Sequence, residues 1–466
     1  MLSKTQSSLI SLHLDSNAIS GIDHLIFNTQ LNLQRITLNN NNLKHITAGL
    51  LKNLHSLEFI LFNNNNILLI DDYSFKHVNA VKQLDLSHNC LHNITSYTFY
   101  GLRELEEFNL AYNNIMYINS KPFDSLKKLR SLNLSFNPIK ILQKDIFQKN
   151  LPISILSIDS CEIELIGNGT FDGLNNLKSL SLKNNSLKFI DIALIDVPGL
   201  KILALSHNIL DYLQVNTFAH LPLLEVLLLE HCNIEHIVQG AFSLNKYIVK
   251  LNLAQNIISM IPDNVFNALF TIYEFNISNN FLDYVPYNAL YNFTRLEVLD
   301  LADNLLPRIE ISGLENLSKL KHLILRKNEL KFMSIRKKIA FKELITLDLS
   351  HNHLETVPDN LLEVFPNLQH FNISNNDIIK IDFLLSKTKS SGFLITIDLS
   401  RNPIISWPLH TNDNNNNIFS LNIYELHING VNMSILDDNT FKYFTNLQHL
   451  TLNYDKIRRF SIILCV

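Results

Sequence analysis

The sequence predicts an α/β solenoid, a horseshoe with a concave parallel β-sheet, made of about 19 repeats of about 24 residues. Three observations predict it. A core of the form Leu-x-x-Leu-x-Leu-x-x-Asn returns at a nearly fixed period. Apolar residues follow at +2 and +5 from each asparagine, and a phenylalanine often follows at +10. The pattern runs from Leu9 to the C-terminal region with no compositional break. One such unit cannot bury its own apolar face, so it has to stack on its neighbours.

The asparagine slots are Asn17, Asn41, Asn65, Asn89, Asn113, Asn137, Asn185, Asn208, Asn256, Asn280, Asn304, Asn328, Asn352, Asn376 and Asn402. Cys161 and Cys232 take the slot in two repeats, and Val431 and Asp455 take it in the last two. In each Leu-x-Leu strand alternate residues face opposite ways, so the leucines enter the core and the residues between them face the concave side. The slot asparagine turns the chain out of the strand, and its amide bonds backbone groups left open by the turn. A cysteine there bonds less, so its repeat should be locally weaker.

The return segment follows. Its +10 phenylalanines are Phe27, Phe75, Phe99, Phe123, Phe147, Phe171, Phe218, Phe242, Phe266 and Phe441, and they should form a second core column. Repeats at Asn304, Asn328 and Asn376 lack this residue, so the column should break there. Polar insertions near 386–392 and 411–417 lengthen two repeats and should bulge out as loops. The pattern begins almost at Met1 and ends inside a repeat, without the polar caps that terminal repeats need. Residues 1–466 therefore read as one domain and a fragment of a longer chain, with any membrane attachment supplied by missing parts.

The chain is 46% hydrophobic and 18% charged, with a net charge of −4. The scattered charge argues against a nucleic-acid partner. No run approaches the roughly 20 apolar residues of a membrane span. Ser-His-Asn recurs at His88, His207 and His351, always at one repeat phase, so it is a product of the repeat and not a catalytic triad. Five repeats separate His88 from His207, roughly 24 Å, too far to share a metal. His427 and His449 fall on neighbouring strands without carboxylate partners, a weak metal signal. Cys161 and Cys232 lie three repeats apart, roughly 14 Å, beyond disulfide reach. No enzyme activity, metal or cofactor is expected.

Nine sequons occur, at Asn93, Asn133, Asn168, Asn184, Asn276, Asn292, Asn316, Asn372 and Asn432. A chain this rich in asparagine gives about that number by chance, so the count does not establish secretion. Asn133, Asn276 and Asn372 fall at concave positions, where glycans would block that face. Most concave positions are Asn, Asp, Ser or Thr. The exceptions are Phe59 and Leu61 on one strand and Ile202, Val226 and Leu228 on two adjacent ones, which are candidate protein-contact residues.

The period and the +10 phenylalanine resemble the typical class of leucine-rich repeat proteins, mostly extracellular. Within it, the long array, the few cysteines and the stretch from Leu399-Ser400-Arg401-Asn402-Pro403 to Trp407-Pro408 are similar to the chaoptin-like adhesion proteins of insect photoreceptors. Tyr424-Glu425-Leu426-His427 and Leu447-Gln448-His449-Leu450 fit the same likeness. The resemblance implies a glycosylated, lipid-anchored cell-surface protein that binds another protein or a second copy of itself. The chain departs from that pattern in its leader and anchor signals, so the resemblance implies membrane attachment only for a longer parent, and no family binding residue is carried over. A Toll-like or other receptor ectodomain and an intracellular scaffold are the alternatives.

Overall fold

The computed structural model describes residues 8–460, except 25, 28, 119–120, 145, 148–149, 189–194, 337–338, 382–383, 385–393, 406–422, 432–434, 437–440, 442–443, 445, 456 and 458. The insertions expected at 386–392 and 411–417 therefore lie outside the described residues. The chain divides into two compact units, Met1–Asn233 with Leu244–Lys246, and Ile234–Ser243 with Tyr247–Val466. Among the described residues no helix is long and apolar enough to cross a membrane.

Each unit is a parallel β-solenoid. Among the described residues the first carries ten strands at the Leu-x-Leu phase, from Ser11–His13 to Val226–Leu228, and the second carries nine, from Lys250–Asn252 to His449–Thr451. Within a unit every such strand pairs in parallel with the next, one repeat on: Leu84 lies opposite Phe108, and Phe275 opposite Leu299. Except in the first and last of these strands the middle residue is buried, and the flanking residues are mostly half-buried or exposed, as at Gln83–Asp85. Two-residue strands run along the return side, with the +5 residue buried and the +4 residue exposed, as at Ile141–Leu142 beside Leu165–Ile166.

The slot asparagine is the tie between turns. Asn65 Nδ2 donates to the Leu38 carbonyl of the preceding repeat (2.8 Å) and to Phe62 of its own (3.1 Å), while its Oδ1 accepts from Leu43 N–H at 3.0 Å. The same set recurs at Asn113 and Asn352. A buried amide or carbonyl left open costs about 1–3 kcal/mol, so each slot protects several such groups. At Asp455 a carboxylate does part of this work, accepting from Val431 N–H at 2.8 Å.

The cysteine slots differ in kind. Cys161 Sγ still reaches the Leu134 carbonyl at 3.3 Å, but a thiol offers no comparable acceptor. Ile139 N–H, which an asparagine would have received, turns to the Asn137 carbonyl, and Lys140 and Glu162 adopt φ of 53° and 56°. At Cys232, Leu210 N–H goes to the cysteine's own carbonyl, and Asp211 and Asn233 take φ of 59° and 55°.

The phenylalanine column forms as expected in the first unit. Phe75, Phe99, Phe123, Phe147 and Phe171 follow one another with ring centroids 6.1–6.4 Å apart. In the second unit the expected breaks are only partly real. Of these breaks, that at Asn328 is filled at +13 by Phe341, which packs on Phe365 at 5.7 Å, and that at Asn376 falls outside the described residues; the repeats of Asn280 and Asn352 also carry their ring at +13, and Phe293 packs on Phe266 at 5.7 Å. The repeat of Asn304 has no ring at either position, and buried Leu314 and Leu317 stand there.

Candidate recognition surface

The outward-facing strand residues place the candidate contacts. In the first unit Ile202 lies opposite Val226, and Ala204 opposite Leu228, forming one apolar patch across two strands. Ile202 is 39% exposed, and Val226 and Leu228 are half-buried. Ile155, 48% exposed, lies two strands from Ile202 in the same row with only Ser179 between. Its position at the same phase is the sequence signal for it, masked by the serines on either side. Phe59 and Leu61 share a strand as expected, but the Arg35 guanidinium lies 3.9 Å from the Phe59 ring centroid, so that face is already covered by a cation–π contact.

Sequon asparagines fall in three environments. Asn93, Asn168 and Asn184 are exposed, Asn292 and Asn316 are half-buried, and Asn432 lies outside the described residues. Asn133, Asn276 and Asn372 are half-buried on the sheet, and each Oδ1 accepts the N–H of the residue two places on, at 2.9–3.0 Å. They cap their own turns, as Asx residues do. His427 bonds Thr451 at 3.0 Å, and the register sets His449 opposite Glu425, so the two histidines are not direct partners. Among the described residues no three His, Cys, Asp or Glu side chains gather as metal ligands.

The residue before each slot is left-handed, with φ of 51–66° in both units. That explains the recurring histidine of Ser-His-Asn: His88, His207 and His351 occupy a φ that His and Asn tolerate better than most residues.

The second unit carries a cleft of about 800 Å³ where the phenylalanine column lapses. Gly313 makes room for the Tyr287 ring beside it, because a Cβ there would lie 2.6 Å from that ring. Tyr287 lines one wall, its hydroxyl accepting from Glu310 N–H at 2.8 Å, and burial raises its pKa above the ordinary 10.0. Tyr284 and the exposed Phe332 form the other apolar walls. Arg308, Lys331 and Arg336 line the rim. Burial pushes the Glu310 carboxyl up, but hydrogen bonds from Ser334, Ser312 and Arg336 outweigh it and hold the group below its usual range.

Family profiles decide what kind of chain this is. A profile described as Leucine rich repeat matches residues 7–67, 60–115, 91–139, 152–210, 198–258 and 246–306, and a second Leucine Rich Repeat profile matches 343–364. The chain belongs to the leucine-rich repeat family. No curated protein matches this leucine-rich repeat chain in sequence. Among solved structures it is similar to the Toll chain of the Drosophila Toll–Spatzle complex, with TM-score 0.76 and 22% identity over 97% of this chain and 58% of that one. A Leptospira interrogans leucine-rich repeat protein gives TM-score 0.64 and 21% identity, over 86% and 92% of the two chains. The ectodomain of the Arabidopsis thaliana receptor kinase GASSHO1/SCHENGEN3, in complex with CASPARIAN STRIP INTEGRITY FACTOR 2, gives 0.53 and 22%, over 85% and 48%. At these identities the likeness shows the fold. The leucine-rich repeat chain spans 58% of the length of the Toll chain.

Proposed function

We propose that the chain is a non-enzymatic recognition module of a cell-surface leucine-rich repeat protein. It works in cell adhesion, as the chaoptin-like resemblance implies, and takes another protein or a second copy of itself as partner. The observation that carries this reading is the patch of Ile155, Ile202, Val226 and Leu228, apolar and outward on a sheet face otherwise rich in Asn, Asp and Ser. Repeats present many modest contacts at once, so affinity builds by avidity. The neighbours in the Toll–Spatzle and GASSHO1/SCHENGEN3 structures are in complex with ligands, which supports a protein partner. The same likeness, over 97% of this chain for Toll, favours a receptor ectodomain as the second reading.

Two measurements test it. Native membranes run with and without peptide N-glycosidase should give a band that drops on treatment. Cells displaying the chain should aggregate with one another or with partner cells, and Ile202→Asp with Val226→Asp should abolish this. An unshifted band in the soluble fraction, or aggregation indifferent to both substitutions, overturns the reading.

A further inference from the structure

We infer that the cleft in the second unit is a docking site for a short segment of a partner protein that sets a large apolar side chain beside a carboxylate. The inference rests on the recognition reading and gives it a second contact, independent of the concave patch.

The walls are fixed before anything binds. Tyr284 Oη donates to the Ile261 carbonyl at 2.9 Å and accepts from Ile261 N–H at 3.3 Å, and Tyr287 Oη accepts from Glu310 N–H. Neither ring has to be ordered on binding, which removes part of the entropic cost. Phe332 stands 70% exposed over the opening, with Phe281 and Leu305 also exposed on neighbouring repeats. An aromatic ring held in water beside a concave apolar wall is the usual form of an anchor pocket.

Charge selects the occupant. Glu310 is saturated: its oxygens accept from Ser312 N–H, Arg336 N–H and Ser334 Oγ, and Arg336 Nε lies 2.9 Å from Oε2. Arg336 is held through Nε, which leaves its terminal nitrogens for a ligand. In this unit Lys250, Lys319, Lys321 and Lys327 each bridge to a carboxylate one repeat away. Arg308 and Lys331, both on the cleft, have no such bridge, as is also true of Arg295, Arg326, Lys342 and Lys380 among the described residues of the unit. Three cations thus face the cleft, with Asp283 the one carboxylate there not already saturated. A carboxylate beside an apolar anchor complements this arrangement. Single-stranded nucleic acid does not, because it needs a basic groove that tracks successive phosphates.

The test selects a displayed library of random nonapeptides against the full chain, counter-selecting on Phe332→Asp. Enriched peptides should pair Asp or Glu with Phe, Trp or Leu. They should bind Phe332→Asp and Arg308→Glu at least about tenfold more weakly, the size of a lost anchor. Both residues lie on the cleft surface, and melting curves matching wild type show that the variants fold. No enrichment, peptides without acidic bias, equal binding to the variants, or tighter binding of a single-stranded RNA dodecamer each overturns the site. The cell-aggregation assay separates the two readings. Aggregation lost only in the concave variants, with flat peptide binding, removes the cleft and leaves recognition standing. No aggregation by wild type removes the adhesion reading itself.

Discussion

Tyr112 and Phe136 lie ring over ring, centroids 4.0 Å apart and planes 8° from parallel, although both hold left-handed backbone, with φ of 55° and 59°. His88 stacks on the other face of Tyr112 at 4.2 Å. Left-handed backbone costs a residue with a Cβ about 1–2 kcal/mol, and an aromatic pair returns about 0.5–1.5 kcal/mol beyond burial. The stack therefore offsets strain imposed by the solenoid. Tyr112→Ala loses both ring contacts and keeps the strain, so it should destabilise by about 1–3 kcal/mol. Tyr112→Gly loses the rings and the strain together, and should sit about 1 kcal/mol above the alanine variant. Urea denaturation followed by circular dichroism ranks the two. An alanine variant equal to or better than glycine would show that the strain is not there.

The slot asparagines and slot cysteines make opposite predictions. Asn113→Ala strands the Leu86 and Leu110 carbonyls and the Leu91 N–H in the interior. At about 1–3 kcal/mol for each open group, the loss should be at least about 3 kcal/mol. Cys161→Asn restores an acceptor for Ile139 N–H and frees Lys140 and Glu162 from left-handed backbone. It should stabilise by about 1 kcal/mol. Hydrogen exchange at the Ile139 amide gives the local readout and should slow in the variant. Unchanged exchange would mean the rearranged turn is already as secure as the asparagine tie.

The parts of the fold readable in the sequence are those that each repeat has to solve for itself. Asn65 and its equivalents need the same carbonyls one turn back, so the asparagine recurs and the strand register follows from it. What escaped reading depends on relations between repeats. Gly313 matters only because Tyr287, in the preceding repeat, needs its space, and no periodic template marks that pair. Ile155 was readable by phase and was passed over because its strand neighbours are serines. Concave asparagines such as Asn276 looked like free surface groups, yet their Oδ1 atoms cap the turn two residues on. The repeat phase of His88, His207 and His351 is visible in the sequence, but its reason, a left-handed position before each slot, requires backbone angles.

Burial separates the cysteines chemically. It pushes the Cys161 and Cys232 thiols up to about 12, while Cys90 is only half-buried. At pH 8 a thiol of that pKa is ionised to about one part in ten thousand, and only the thiolate attacks an alkylating agent. Brief iodoacetamide treatment of the native chain at pH 8 should therefore label Cys90 and spare Cys161 and Cys232, which react after unfolding in guanidinium. Peptide mass spectrometry reads the sites directly. Native labelling of Cys161 at the rate of Cys90 would mean that its repeat opens far more often than its packing implies.

Asp300 supplies a stability prediction with a defined pH window. It lies between buried Leu299 and Leu301, and its Oδ1 accepts from Ala302 N–H at 2.9 Å. Burial raises its pKa above the ordinary 3.8, and the opposing pull of the Ala302 N–H and Arg326 does not cancel this. The folded chain thus binds this proton more tightly than the unfolded chain. The contribution of the group to stability is fully present below pH 3.8 and is lost as pH rises through the raised folded value, so at neutral pH its charge works against folding. Asn252 and Asn276 occupy the same register and make the same bond to the residue two places on, without a charge to bury. Asp300→Asn should therefore melt higher than wild type at pH 7, and the difference should shrink to nothing as pH falls below 3.8. Melting curves from pH 3 to 8 test both parts. A gap of constant size across the range would assign the gain to packing or hydrogen bonding, and would remove desolvation of the carboxylate as its cause.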